Sequence, residues 1–386
     1  MLKVEAIKTI QEFQNLREDW NYLLSASKAD NIFLTWEWLF TWWEVYGVNK
    51  ELCILLIKEE DKLIGIAPLM ITKENVVGIP VRLLKFIGSE KVCSEYLDLI
   101  TISGRESELL SLFIQYINQN NNLWDVLLIN DITEDSPTVK FFSDKANFYK
   151  NNILKRRSTI NPYIHLPKTI EEFYQKLGSK RRSDVKVKSN KLAAEHQVSY
   201  HEIIDKESLG KCFEIFVNLH QTLWNERGFP GVFKRESFLN FHRAIAERFF
   251  EHGWLKLFFL NIDNNPAAAL YGFQYRDKFY YYQSGFNPKW KIYGIGKLLL
   301  TKTITEAINT NLQEYDFLRG GAQYKSQFAI NFRHNLEIVI IRKNFKSRLY
   351  ISTKKFKKLF KNVLKNILPQ DIVGWVRKIR DYITLR

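Results

Sequence analysis

Cysteine, recognisable catalytic elbows and net charge outside one terminus are all in short supply in this chain. Its three cysteines, Cys53, Cys93 and Cys212, stand far apart with no paired spacing. That excludes a disulfide framework and a zinc knuckle, and no metal is expected. No apolar run approaches 18 residues, so no membrane-spanning helix is expected. The opening segment Met1–Ala6 has no apolar h-region, so no secretion signal is expected and the chain reads as cytoplasmic. A Ser-His-Asp elbow, a G-x-S-x-G turn and a Cys–His set are missing, which argues against a covalent enzyme intermediate.

Most of the body also lacks net charge. Residues 342–386 hold fourteen Lys/Arg against Asp371 and Asp381, +12 of the chain's +15. The remainder is nearly neutral, so a diffuse nucleic-acid-binding surface is not indicated. What the chain does have is apolar and aromatic residues, 46% and 15% of the total. A disordered chain does not carry that much. At 386 residues, two hydrophobic cores are expected rather than one.

The pattern of elements divides accordingly. In residues 1–158 it predicts a strand near Val4–Lys8, a helix around Ile10–Ala26 and a Trp-rich helix over Thr35–Tyr46. Thr35 is placed to cap that helix and Gly47 to end it. Trp38, Trp42 and Tyr46 recur at helical spacing and face a core, an aromatic ligand cage being the alternative. Strands follow at Leu52–Lys58, Lys62–Ile71 and Leu83–Ile87, then a helix near Glu106–Asn118 and an apolar run at Trp124–Ile129. Pro68 marks a bulge or an edge.

Residues 159–345 read as helices around Thr169–Leu177 and Lys180–Ala194, a strand near Val198–Ile203, and helices near Leu209–Leu223 and Lys234–Glu251. Strands Leu255–Ile262, Ala267–Tyr275 and Lys278–Ser284 come next, with a hairpin signal at Asp263–Pro266. A short strand Tyr315–Leu318 and a closing strand near Glu337–Arg342 complete the unit. Residues 346–386 form a basic tail. Phe356, Leu359, Phe360, Val363, Leu364 and Ile367 line one helical face, lysines fill the rest, and Ile372, Trp375, Val376 and Ile379 suggest a second turn beyond Pro369. Such a helix lies on an anionic membrane surface or packs its apolar face on the body.

The segment Lys291-Ile292-Tyr293-Gly294-Ile295-Gly296-Lys297 joins the strand Lys278–Ser284 to a helix with period-setting Leu298, Leu299, Thr301, Ile304 and Ile308. Its glycines let backbone approach a bulky anion. The helix start aims free N–H groups and the positive dipole end at it. A dinucleotide fingerprint needs a third glycine where Leu299 stands, and a Walker loop needs four residues between its glycines. Neither pattern is met. The loop is similar to the Q/R-x-x-G-x-G/A diphosphate loop of GNAT-type acyltransferases, with Lys291 in the first basic position. A plain surface turn ahead of a core helix is the bland alternative.

Other segments carry the same resemblance in order: Phe33–Leu39 with Trp42 and Trp43, Gly65–Leu69, Arg82–Gly88 followed by Tyr96–Asp98, Leu219–His220, Trp224–Gly228, and Tyr315–Gly320 with Tyr324 and Lys325. From about residue 30 to 343 the chain resembles the two-domain, FemAB-like branch of the GNAT superfamily, which includes the cellulose-biosynthesis CelD-type acetyltransferases. The resemblance implies an α/β (α+β) fold, with tandem GNAT-like mixed β-sheet domains flanked by helices. It also implies acetyl-CoA or another acyl-CoA as co-substrate. The first unit has no comparable glycine loop, so one cofactor site is expected, formed by Tyr282, Gln283, Ser284, Lys291, Gly294, Ile295, Gly296 and Lys297.

Direct acyl transfer needs an electrophilic grip on the carbonyl, a base for the acceptor and an acid for the thiolate. The resemblance assigns the grip to a strand N–H within Tyr281–Gly285. Candidate catalytic residues are His220, Glu226, Asp316, Arg319 and Tyr324. Each has a structural alternative: a core histidine, a salt bridge from Glu226 to Arg227, a buried ion pair, and packing. Trp224, Arg227, Lys325 and Arg181 are candidate substrate contacts, Arg181 within a Lys/Arg-rich helix suited to an anionic acceptor or to tRNA phosphates. The leading expectation is an acyl-CoA-dependent N- or O-acyltransferase acting on a cell-envelope saccharide, lipid or amino-sugar precursor. A FemX-like aminoacyl-tRNA-dependent transferase and a non-catalytic accessory protein of polysaccharide synthesis are the alternatives. The tail allows peripheral contact at the inner face of the membrane.

Overall fold

A computed structural model describes residues 1–144, 153–320 and 325–367, with only the backbone described for Ser326 and residues 357–367. The chain divides into two compact units. One is Met1–Ile160 together with the segment from His334 onward, and the other is Asn161–Arg333.

The first unit's sheet runs in the order Leu2–Ile7, Glu51–Glu59, Lys62–Val76, Ile79–Phe86, Val126–Thr133, Asn331–Ile341. Neighbours are antiparallel except Ile79–Phe86 with Val126–Thr133, which are parallel. The second unit's sheet runs Val198–Glu202, Leu255–Ile262, Asn265–Tyr275, Lys278–Phe286, Glu314–Asp316, Ile153–His165. Again one pair is parallel, Lys278–Phe286 with Glu314–Asp316. The two sheets therefore repeat one plan, three antiparallel steps into a parallel pair and then a closing antiparallel strand. Their closing strands are exchanged along the chain. Asn331–Ile341, expected to finish the second domain, pairs with Val126–Thr133 of the first unit. Ile153–His165 closes the second sheet through Tyr163, Ile164 and His165. That strand was not anticipated, because its Lys155-Arg156-Arg157 stretch and Pro162 hide any alternation.

Local departures have local causes. The helix expected over Ile10–Ala26 is two, Ile10–Gln14 and Arg17–Ser25; Thr9 and Glu12 form a capping box on the first. The Trp-rich helix Trp36–Tyr46 is capped by Thr35, whose side chain accepts from Trp38 N. Trp38 and Trp42 are buried, and Trp38 Nε1 donates to Ser94 Oγ at 2.9 Å. Pro68 lies inside the sheet, neither at its edge nor at a bulge. Its carbonyl accepts from Ile87 N, so its nitrogen points just past the end of Ile79–Phe86, where no ladder bond is lost.

The terminal helix Phe345–Ile367 starts as part of the first unit. Tyr350 is buried against Val76, Val81, Leu83, Val126, Leu128 and Val339, and Ser347 Oγ donates to Asp125 O at 2.7 Å. By Phe356, 68% exposed, the side chains face solvent. The predicted apolar row Leu359, Phe360, Val363, Leu364 and Ile367 and the second turn at Ile372–Ile379 lie outside the described side chains.

Candidate active site

The second unit's sheet opens along Lys278–Phe286. Its parallel pairing with Glu314–Asp316 covers Lys278, Phe279 and Tyr280 and ends there, while the strand runs on to Phe286. On its other side the register against Asn265–Tyr275 shifts between Tyr271 and Gly272, leaving Tyr282 as an extra residue between paired Tyr281 and Gln283. Such a bulge bends the strand and raises its twist. The two parallel strands thus part after Tyr280 and Asp316. On the opened stretch, the Tyr281 hydroxyl meets Ser284 Oγ.

The glycine loop follows directly. Asn287 caps a short 3-10 helix, Pro288–Tyr293, which ends at Gly294 with φ 63° and ψ 34°. This left-handed conformation favours glycine. The helix Ile295–Asn309 begins there. The amides of Lys297 and Leu298 return to the Gly294 carbonyl at 2.8 and 3.2 Å. Those of Ile295 and Gly296 meet no acceptor among the described residues, as the first donors of a helix must.

Basic side chains gather at these amides. The helix Ser179–Glu195 brings Asp184, whose carboxylate accepts from Lys188 Nζ and from Lys297 Nζ, each at 2.9 Å. Those two bonds, Lys188 first, hold the Asp184 carboxyl below its ordinary range. The Lys188 stem passes 3.0 Å from where a Gly294 Cβ would stand. Tyr293 donates its hydroxyl to Glu195, with Lys191 Nζ 5.5 Å over its ring. Two amides and two tethered ammonium groups on one glycine turn are the chemistry of a diphosphate cradle. Lys291 and Arg181 are exposed.

The opposite face is packed by the helix Lys206–Glu226. Contact is so close that a Cβ on Gly285 would stand 2.2 Å from His220 N. His220 is fully buried. Its Nδ1 is 3.3 Å from Gln221 Oε1, and Gln283 of the opened strand faces the ring. Nε2 meets no partner at hydrogen-bond geometry among the described residues. Burial lowers its pKa to about 4, only partly offset by Gln221 and Gln283, so the imidazole is neutral near pH 7.

The remaining sequence candidates fall in three settings. Asp316, fully buried, accepts from Leu318 N at 2.7 Å and from Arg333 at 3.2 Å. Arg333 also holds Glu314 at 2.9 Å and stacks 4.4 Å over Tyr163. Buried Lys325 donates to the carbonyls of Phe317 and half-buried Arg319, at 2.7 and 2.9 Å, and lies 5.5 Å over the Tyr281 ring. Glu226 and Arg227 are exposed at the end of their helix, with Arg227 5.3 Å over half-buried Trp224. Tyr324 lies outside the described residues.

The opened strand, the glycine loop and His220 are therefore brought together, whereas Arg181, Glu226 and Arg227 sit on the surface. Two features escaped the sequence reading. Asp184 tethers both lysines, a role signalled only by its i,i+4 spacing to Lys188. Buried His242, on the helix Glu236–Glu251, lies 3.1 Å from the Tyr282 hydroxyl and 3.3 Å from that of Tyr271. Its signal was a lone histidine on the apolar face of Phe238, Phe241, Ile245 and Phe249.

This geometry has known counterparts. Residues 179–326 match the family model of the acetyltransferase (GNAT) domain, so the glycine loop and the opened strand lie within a GNAT-type transferase domain. The structure of FemX is similar over 88% of this chain and 97% of that one, at 12% identity and a TM-score of 0.58. A conserved protein of unknown function from Bacteroides thetaiotaomicron is similar over 89% and 100%, at 11% identity and 0.53. L-PGS from Bacillus licheniformis is similar over 87% and 96%, at 11% identity and 0.51. At such identities the likeness is one of fold, and it spans both units. No curated protein matches the sequence. The chain thus carries a GNAT-type domain over residues 179–326, and its fold over both units is similar to that of FemX. No group of His, Cys, Asp and Glu suited to a metal ion occurs among the described residues.

Proposed function

We propose that this protein moves an acyl group directly from acyl-CoA, acetyl-CoA in the simplest case, to an amine or hydroxyl of a cell-envelope or polysaccharide-related acceptor. The observation that carries this reading is the pair of uncommitted amides at Ile295 and Gly296, flanked by Lys188 and Lys297. The residues present fit a diphosphate, since Gly294 admits close backbone approach and Lys188 and Lys297, shared with the partly exposed Asp184, supply positive charge. A backbone N–H within Tyr281–Gly285 grips the thioester carbonyl where the parallel strands part. His220, neutral and with Nε2 available beside Gln283, accepts the acceptor's proton directly or through water. Asp316 and Arg319 organise the end of the partner strand, Lys325 keeps that turn closed, and Trp224 with Arg227 forms a rim for the acceptor.

An aminoacyl group delivered by tRNA is the second reading. The exposed Lys180, Arg181 and Arg182 at the start of the basic helix favour it, as does the FemX-like fold. In either case the reaction is placed in the cytoplasm, with the basic tail as a peripheral contact to the membrane's inner face.

Thermal shift decides between the donors. A ligand at 100 times its Kd adds about 2.7 kcal/mol to stability, so acetyl-CoA is expected to raise the Tm measurably and Gly294→Glu to abolish the rise. No shift with acetyl-CoA or CoA, together with ribonuclease-sensitive transfer, would move the assignment to the tRNA-borne donor.

A further inference from the structure

Resting on that reading, we infer that His242 is a positioning residue for acyl transfer: its imidazole clamps the β-bulge at Tyr282 and thereby fixes the strand opening that grips the thioester. The bulge is flanked by two residues whose hydroxyls both end on this one ring. Tyr271 is the residue next to the register shift on Asn265–Tyr275, and Tyr282 is the extra residue on the facing strand. His242 Nδ1 stands 3.3 Å from the first hydroxyl and Nε2 3.1 Å from the second. In a regular strand, Tyr282 and Gln283 would point to opposite faces. Here both turn to the helical side, Tyr282 to His242 and Gln283 to His220.

The imidazole has a role for each hydroxyl. A neutral imidazole has one N–H and one bare nitrogen. One phenol donates to the bare nitrogen, and the N–H donates to the other phenol oxygen. Burial keeps His242 uncharged by holding its pKa far below the ordinary value, and it pushes the Tyr271 hydroxyl well above its own. The pair of bonds is therefore fixed near pH 7 rather than switchable. Phe238 and Phe241 hold the ring at centroid distances of 4.4 and 4.9 Å. A polar ring in such a core costs free energy that an apolar residue would not, and its location at the bulge accounts for its presence.

Three variants test the clamp in the full chain: Tyr271→Phe, Tyr282→Phe and His242→Gln. The first two delete a hydroxyl and keep the ring, so they preserve the fold should His242→Gln fail to. Amide hydrogen exchange reads the strand, and calorimetric titration with CoA and acetyl-CoA reads the site. Exchange at Tyr281–Gly285 is expected to quicken at least tenfold. Acetyl-CoA, which alone presents a thioester carbonyl, is expected to bind about fivefold more weakly, with CoA affinity within twofold of the wild type in Tyr271→Phe, whose residue lies outside the cofactor set. Unchanged exchange in the phenylalanine variants, or equal weakening of both ligands in Tyr271→Phe, would overturn the inference. A wild type that binds neither ligand overturns the proposed acyl-CoA function and this positioning role with it, whereas one that binds both leaves the variants to decide the clamp alone.

Discussion

His220 shows how burial sets chemistry at a single residue. Because its pKa falls from 6.5 to about 4 in the fold, the unfolded chain binds its proton more readily between those values. The stability it allows is present above pH 6.5 and lost as pH falls toward 4. A shift of that size corresponds to roughly 3 kcal/mol. Urea unfolding at pH 7 and pH 4.5 is expected to reveal the loss, and His220→Gln to flatten that part of the slope. Gly285 is the complementary case. A methyl group there meets the helix backbone at 2.2 Å, so Gly285→Ala is expected to cost about 3 kcal/mol or more by overpacking. A denaturation midpoint unaltered by the methyl would mean that the helix is free to yield.

Elements, more than residues, decide where the diphosphate cradle forms. The 15-residue helix Ile295–Asn309 was legible from its period and its glycines. Its partner was less so: Ser179–Glu195 read as a basic face, and only packing turned Asp184 and Lys188 toward the loop. Removing one ammonium there, as in Lys188→Ala, is expected to weaken acetyl-CoA binding about tenfold, or about 1.4 kcal/mol. The same change should leave the melting temperature of the free protein within a degree or two. An affinity equal to wild type would remove Lys188 from the cradle. Strand endings were harder still to read. Glu314–Asp316 is three residues long, and its brevity creates the opening beside Tyr281. Nothing in the local sequence states where a pairing stops, because that depends on a partner strand far along the chain.

At the scale of the whole molecule, the fully buried titratable groups of the two units respond oppositely to acid. His220 and His242 weaken the second unit as pH falls. In the first, burial raises the Asp98 carboxyl to about 6 against the opposing bonds from Ser136 and Thr138. Its favourable contribution is complete below the unfolded value and lost as pH rises through about 6, so acid relieves that site. Limited proteolysis at pH 7 and pH 5 is expected to show cleavage gaining fastest within Asn161–Arg333; faster gain in the first unit would contradict the assignment. The tail divides too. Truncation before residue 345 removes Tyr350 from its cluster and should cost about 2 kcal/mol, while truncation after Phe356 should spare stability and lower salt-sensitive binding to anionic vesicles. Vesicle binding that survives the shorter cut would end the membrane reading of that segment.

By itself the sequence determined the α/β class, most of the helices and strands, and the glycine loop at a helix start. Those follow from periodicity, capping and turn chemistry acting within a few residues. Only the tertiary structure decided the exchange of closing strands, the tethering of Lys297 by Asp184, and the clamp of His242 on Tyr271 and Tyr282. These join residues dozens of positions apart, and their energy comes from burial and hydrogen bonding that exist only after the chain has closed on itself.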